Sequence, residues 1–158
     1  MPGESCVLVV DDESVVRILV ARALDRAGCT VVDVSDGAQA LEILERGEIS
    51  IDLVLTDINM PRLDGLELGR RIAQMTPPMP VLYMSAELPD AFVNRGADLT
   101  LAPFVLKPFS IGALVAAVIG LLASSSAYRG PAEKRLDVPT TRRSPAAAAL
   151  SDQGVQLT

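Results

Sequence analysis

Cys6-Val7-Leu8-Val9-Val10-Asp11-Asp12 is an apolar, largely β-branched run that stops on two carboxylates. An unbroken apolar run of this kind, with no polar alternation, reads as a strand buried on both faces, the pattern of a parallel sheet. The same grammar recurs three times. Leu53-Val54-Leu55-Thr56 stops on Asp57, Val81-Leu82-Tyr83-Met84 stops on Ser85, and Phe104-Val105-Leu106 stops on Lys107. Polar groups therefore stand at the carboxyl ends of four strands, the edge on which open α/β sheets place their ligand sites. Three carboxylates, a hydroxyl and an ammonium on one rim suit a metal ion and a phosphoryl group.

Between these runs the chain alternates strand and helix. Strands are predicted over 6–10, 30–34, 52–56, 80–84 and 103–106. A first helix spans 14–27 and stops at Gly28. Asp36 caps a second helix over 37–46, which ends at Gly47. Asp64 and Glu67 stand at capping-box spacing before a third helix over 65–75, closed by Pro77-Pro78. A weak helix covers 88–96, and Ser110 caps a fifth over 111–123. Five alternations predict an α/β fold, a doubly wound five-stranded parallel sheet with helices on both faces. The second strand adds nothing obvious to the polar rim. That fits strand order 2-1-3-4-5, with the rim straddling the switch point between strands one and three.

Composition narrows the function. The chain has 158 residues and is 49% apolar, enough for one globular domain of roughly 120 residues plus an appendage. The domain is placed at 1–124. From 125 to 158, Ser, Pro and Ala punctuation without a core period predicts a disordered low-complexity tail, in which Arg142-Arg143-Ser144-Pro145 is a candidate docking or modification site. Residues 1–124 carry 9 basic and 17 acidic side chains, a balance that disfavours binding a phosphate backbone, so no DNA binding is expected. The absence of histidine excludes His ligands, His-based triads and a phosphohistidine on this chain. Cys6 and Cys29, placed on strands, are expected as buried reduced thiols. No secretory signal or membrane span is predicted, which points to the cytoplasm.

The rim residues have competing explanations. Asp11-Asp12 suits either the acidic start of a helix or a cation site, and one Asp is enough for the first. Asp11, Asp12 and Asp57 drawn together repel, and a hard divalent cation such as Mg²⁺, with its preference for oxygen ligands, resolves the conflict. After Asp57, Pro61 and Asp64-Gly65 already supply the turn signals, leaving Asp57 free to face the rim. Asn59 is close enough for its backbone carbonyl to reach the same metal. Lys107 is the only lysine in residues 1–124, beside eight arginines, and it directly precedes Pro108. Pro108 biases it to extended geometry, and a compact point charge is what a phosphoryl oxygen requires. The set describes phosphoryl transfer onto Asp57, with Lys107 neutralising equatorial oxygens and Ser85 donating a hydrogen bond.

Taken together, Val10-Asp11-Asp12-Glu13, Thr56-Asp57-Ile58-Asn59-Met60-Pro61, Met84-Ser85-Ala86 and Phe104-Val105-Leu106-Lys107-Pro108-Phe109 resemble the receiver domain of bacterial two-component response regulators. The resemblance covers about residues 5–123. It implies the flavodoxin-like fold, Asp57 as phosphoacceptor, and Mg²⁺ held by Asp12, Asp57 and the Asn59 carbonyl, with Asp11 helping to position it. It also implies that Ser85 and the Phe104 ring form the switch, although Phe104 lacks the hydroxyl of a tyrosine. Asn59 and Glu87 fall where this family tunes phosphoryl lifetime, and the same pair occurs in the chemotaxis regulator, so a short-lived phospho form is expected. The implied partners are a sensor histidine kinase or phosphotransfer protein and a downstream protein target.

Two features depart from the family pattern. The stretch 88–103 is rich in Pro and Gly, so the fourth helix is expected to be short, as in receivers attached to hybrid histidine kinases. No charged residue occurs from Pro108 to Ala127. A fifth helix without a polar stripe suggests a second buried face, hence a homodimer or partner contact through the fourth helix, fifth strand and fifth helix. Other classes fit less well. An aspartate-nucleophile phosphatase wants an acid two residues after the nucleophile, where this chain has Asn59. A flavin carrier needs a glycine- and hydroxyl-rich loop where Asp11-Asp12-Glu13 stands. A degenerate, unphosphorylated binding module would not need the complete acidic and lysine set. The leading expectation is a phosphoacceptor, not an enzyme.

Overall fold

The computed structural model describes residues 5–75, 79–97, 99 and 102–129. Strands β1 (Cys6–Val10), β2 (Thr30–Val34), β3 (Leu53–Asp57), β4 (Val81–Ser85) and β5 (Phe104–Leu106) form one sheet in the order β2-β1-β3-β4-β5. All four pairings are parallel. Helices α1 (Ser14–Arg26), α2 (Gly37–Arg46), α3 (Gly65–Ala73) and α4 (Ile111–Arg129) cross between or follow the strands. This is the doubly wound topology expected from the alternating runs.

The period of two along β1 divides the core. Cys6, Leu8 and Val10 face one side, where they pack with Leu41 and Ile43 of α2 and Leu68 and Ile72 of α3. Val7 and Val9 face the other, packing with Val20 and Leu24 of α1 and Leu114, Val118 and Leu122 of α4. Every residue of β1 and β3 is buried, which is why these runs show no polar alternation. Cys6 and Cys29 are buried and not disulfide-bonded, but Cys29 lies just before β2, not on it.

Helix ends follow their chemistry. Asp36 accepts from the Gln39 N–H at the start of α2, and Gly47 ends that helix at φ 66°. Asp64 accepts from the Glu67 N–H at the start of α3. Three boundaries differ from expectation. Helix α3 stops at Ala73, and the Pro77-Pro78 stop lies outside the described residues. The segment expected as a weak helix is a seven-residue 3₁₀-helix, Pro89–Arg95, with only Phe92 buried. Helix α4 continues to Arg129, past the boundary drawn at 124. Ser124, Ser125 and Ser126 do not end it, because three serines cost a helix little once its preceding turns are packed. The remaining tail, with Arg142-Arg143-Ser144-Pro145, lies outside the described residues.

The outward positions of α4 are occupied by Ile111, Gly112, Ala113, Ala116, Gly120, Ala123 and Ser124. Mostly small side chains thus form this face, which carries no charged stripe, as the sequence indicates. Among the described residues, no helix is long and apolar enough to cross a membrane.

Candidate functional site: an acidic mouth at the carboxyl edge of the sheet

Backbone pairing lines up the strand ends. The Ile58 N–H donates to the Met84 carbonyl at 3.0 Å, and the Lys107 N–H donates to the Ser85 carbonyl at 2.8 Å. The Asp11 N–H donates to Val34 O on β2 at 3.2 Å. With β1 paired to β3 as far as Val10 and Thr56, the strand ends lie edge to edge, and Asp11, Asp57, Ser85 and Lys107 come to one rim. Gly65 lets α3 begin directly under this rim: a Cβ there would run into the Asp57 carbonyl and stand 2.8 Å from the Ile58 Cα.

Oxygen atoms of Asp11, Asp12 and Asp57 lie within 4.8 Å of one another. Asp11 is fully buried and Asp57 nearly so, whereas Asp12 is exposed at the mouth. The Lys107 ammonium reaches over them. Its Nζ lies 3.4 Å from Asp11 Oδ2, 3.4 Å from Asp57 Oδ1 and 3.5 Å from Glu13 Oε1. Asp11 Oδ1 accepts from the Glu13 N–H at 2.9 Å and Asp57 Oδ1 from the Ile58 N–H at 3.0 Å. Helix α1 has Glu13 at its N-cap, with no side-chain capping bond. Asp11 and Asp12 therefore do not serve as the cap, which removes the simplest structural reason for the pair.

Electrostatics show that the site lacks positive charge. Burial, followed by repulsion from Asp11, pushes Asp57 up to about 6 despite Lys107. Burial also raises Asp11, against the pull of the Glu13 N–H and Lys107. Lys107 itself is pulled down by burial, but the Asp11 and Asp57 carboxylates outweigh this and raise it. One ammonium among four carboxylates leaves net negative charge in a desolvated cleft. An all-oxygen cluster of this kind matches the donor preference of a hard divalent cation.

The sequence model of the response regulator receiver domain matches residues 7–119. The chain belongs to the response regulator receiver family. It is 37% identical over 123 residues to the sensor kinase CckA of Brucella abortus, covering 77% of this chain and 13% of that protein. It is likewise 37% identical over 150 residues to the DNA-binding transcriptional regulator NtrC of Escherichia coli, covering 92% of this chain and 31% of that one. The chain thus spans less than a third of either curated relative. A solved response regulator receiver protein from Sinorhizobium medicae superposes with a TM-score of 0.68 at 32% identity, covering 77% of this chain and 97% of the other. The receiver is accordingly homologous to response regulators of two-component systems.

The other expected receiver residues fall around the mouth. Ser85 is buried, and its Oγ accepts from the Glu87 N–H at 2.9 Å. Glu87 and Asn59 are exposed. Phe104 is half-buried against the cluster of Ile58, Leu66, Phe92 and Leu99. Arg95, at the end of the 3₁₀-helix, donates to Asn59 Oδ1 at 3.1 Å and to Asp64 Oδ2 at 2.9 Å, and its guanidinium lies 5.2 Å from the Phe92 ring centre. It ties the loop after Asp57 to the segment after Ser85.

Four participants escaped the sequence reading: Glu13, an exposed third partner for Lys107, Arg95, and Arg17 and Asp33 as a buried pair. The last had a signal. Arg17 lies on the buried stripe of α1 with Val20, Ala21 and Leu24, and Asp33 interrupts the apolar run of β2. A cation on a buried helix stripe and an anion in an adjacent buried strand should have been read as a pair. Arg17 Nε lies 3.0 Å from Asp33 Oδ2. Burial pushes Asp33 up to about 6 although the guanidinium pulls it down.

Proposed function

We propose that this receiver accepts a phosphoryl group from a phosphohistidine on a sensor histidine kinase or phosphotransfer protein. The observation that carries this reading is the Asp57 carboxylate, desolvated at the end of β3 and 3.4 Å from the Lys107 ammonium. An Asp57 carboxylate oxygen attacks phosphorus in line. The N–P bond of the donor breaks, its electron pair stays on the departing imidazole, and an acyl phosphate forms. Lys107 offsets charge on the equatorial oxygens, and Ser85 donates its hydroxyl hydrogen to one of them. Asp11, Asp12, Asp57 and the Asn59 carbonyl would hold Mg²⁺, which when bound supplies charge neutralisation at the transferring group. The chain takes up one equivalent of phosphoryl and is not an enzyme in the turnover sense.

Output follows from the switch side of the mouth. Ser85 ends β4 and Phe104 begins β5, and between and after them Leu88, Val93, Leu106 and Ile111 are exposed. Movement of the Ser85 hydroxyl toward a phosphoryl group lets the Phe104 ring turn inward and reshapes that face for a downstream protein. The readout is protein contact in the cytoplasm, where buried thiols stay reduced; the acidic domain does not itself bind DNA.

Incubation with acetyl phosphate and Mg²⁺, followed by intact mass, is expected to show the gain of one phosphoryl group, absent in Asp57→Asn. With Asn59 and Glu87 at the mouth, that mass should decay over minutes. No adduct, or an adduct that survives Asp57→Asn, would refute the reading, and persistence for hours would refute the role given to Asn59 and Glu87. Association of two copies through the reshaped face should raise the light-scattering mass with a phosphoryl mimic present, and a mass fixed at the monomer value at every concentration would exclude it.

A further inference from the structure

The Arg17–Asp33 pair is an expensive way to fill a core. Arg17 is 6% exposed and Asp33 0%, so both charges have left water, and their attraction seldom exceeds that loss. Asp33 Oδ1 is buried and accepts from no neighbouring residue among the described residues, a further cost that an apolar pair would avoid. What the pair does have is reach. While Arg17 Nε engages Asp33 Oδ2, its Nη1 donates to the Asp11 backbone carbonyl at 2.8 Å.

The carbonyl of Asp11 is one peptide unit from Asp12, so the guanidinium grips the turn that carries two of the three clustered carboxylates. Asp11 is then held at four points. Its N–H is bound by Val34 O of β2, its carbonyl by Arg17, Oδ1 by the Glu13 N–H and Oδ2 by Lys107. Two of these anchors trace back to β2, one through Val34 and one through Asp33. The strand that contributes nothing to the mouth therefore sets the mouth's geometry from behind.

We propose that Arg17, oriented by Asp33, is a positioning residue that fixes the Asp11–Asp12 turn for divalent-cation binding. This rests on the metal site described above. A flexible ammonium cannot serve both partners as a planar fork does, so Arg17→Lys is expected to keep the fold and weaken the turn. Arg17→Met combined with Asp33→Leu removes both charges together, which similar buried pairs tolerate without loss of stability.

Mg²⁺ affinity by isothermal titration calorimetry, read beside the melting temperature without metal, tests the assignment. For the unsubstituted chain, measurable binding is expected. For the double variant, the expected result is a melting temperature at or above that of the unsubstituted chain with Mg²⁺ affinity down about 10-fold or more, the scale seen when outer partners of metal ligands are removed. Arg17→Lys should fall in the same direction. A folded double variant, or a folded Arg17→Lys, that binds Mg²⁺ within about twofold of the unsubstituted chain overturns the positioning role alone. No Mg²⁺ binding by the unsubstituted chain overturns the metal site and this inference together.

Discussion

Lys107→Met is expected to slow phosphoryl acceptance from acetyl phosphate on the order of 10²–10³-fold, the scale set by removing one preorganised donor from a developing anion. The same variant should bind Mg²⁺ at least as tightly as the unsubstituted chain. The two effects separate because they draw on different charges. Lys107 Nζ stands 3.4 Å from both Asp11 and Asp57, so before transfer it competes with any divalent cation for the same carboxylates. Removing it makes the cleft more negative and the cation more welcome, while the incoming phosphoryl loses its nearest fixed positive partner. Time-resolved intact mass reads the first effect and calorimetry the second. Unchanged phosphorylation in Lys107→Met would mean that the ammonium does not face the transferred group.

The second large effect is on stability. Asp57 is pushed up to about 6 from the 3.8 of an unfolded chain. Below about pH 4 it is protonated folded or unfolded and costs nothing. As pH rises from 4 through 6 the unfolded chain ionises first, so the folded state binds more protons and its stability falls. Above pH 6 the penalty is complete, on the order of 2–3 kcal/mol at 1.36 kcal/mol per pKa unit. Asp57→Asn removes it. In metal-free buffer at pH 7 the variant should melt several degrees higher than the unsubstituted chain. The loss of stability between pH 4 and 6 should shrink but not vanish, because Asp33 is also pushed up to about 6 and Asp11 is raised as well. Mg²⁺ should stabilise the unsubstituted chain and largely fail to stabilise Asp57→Asn, since a ligand shifts folding only by its preference for the native state. Thermal melts across this range, with and without Mg²⁺, provide the check. An Asp57→Asn protein less stable than the unsubstituted chain at pH 7 without metal would contradict the electrostatic account.

Much of this was readable from residue types because the decisive signals are local. Buried parallel strands must be apolar throughout, so the polar residue that ends each run marks the rim; Asp11, Asp57, Ser85 and Lys107 were found in this way, and the structure brings them to one edge. Strand order followed from which strand lacked such an ending. The rest depended on partners distant in sequence. Arg95 and Asn59 are 36 residues apart and no spacing rule pairs them, whereas Arg17 and Asp33, 16 apart, were marked only by a charge standing on each of two buried faces. Helix α4 ran past Ser124 because packing against β3 and α1 carries it through residues whose intrinsic preference is neutral. The 3₁₀ segment was legible as weakness at Pro89 and Gly96, but its geometry was not.

That segment has a mechanical consequence. Runs of i→i+3 bonding longer than three or four residues are uncommon because each bond is poorly aligned, and here seven residues hang between β4 and β5 with a single ring, Phe92, sunk into the interior. One phenyl acts as the peg and one guanidinium, Arg95, as the hasp. Lifting the flap therefore asks for withdrawal of a lone plug rather than the unzipping of an amphipathic seam, and the latch closes on the loop that follows Asp57.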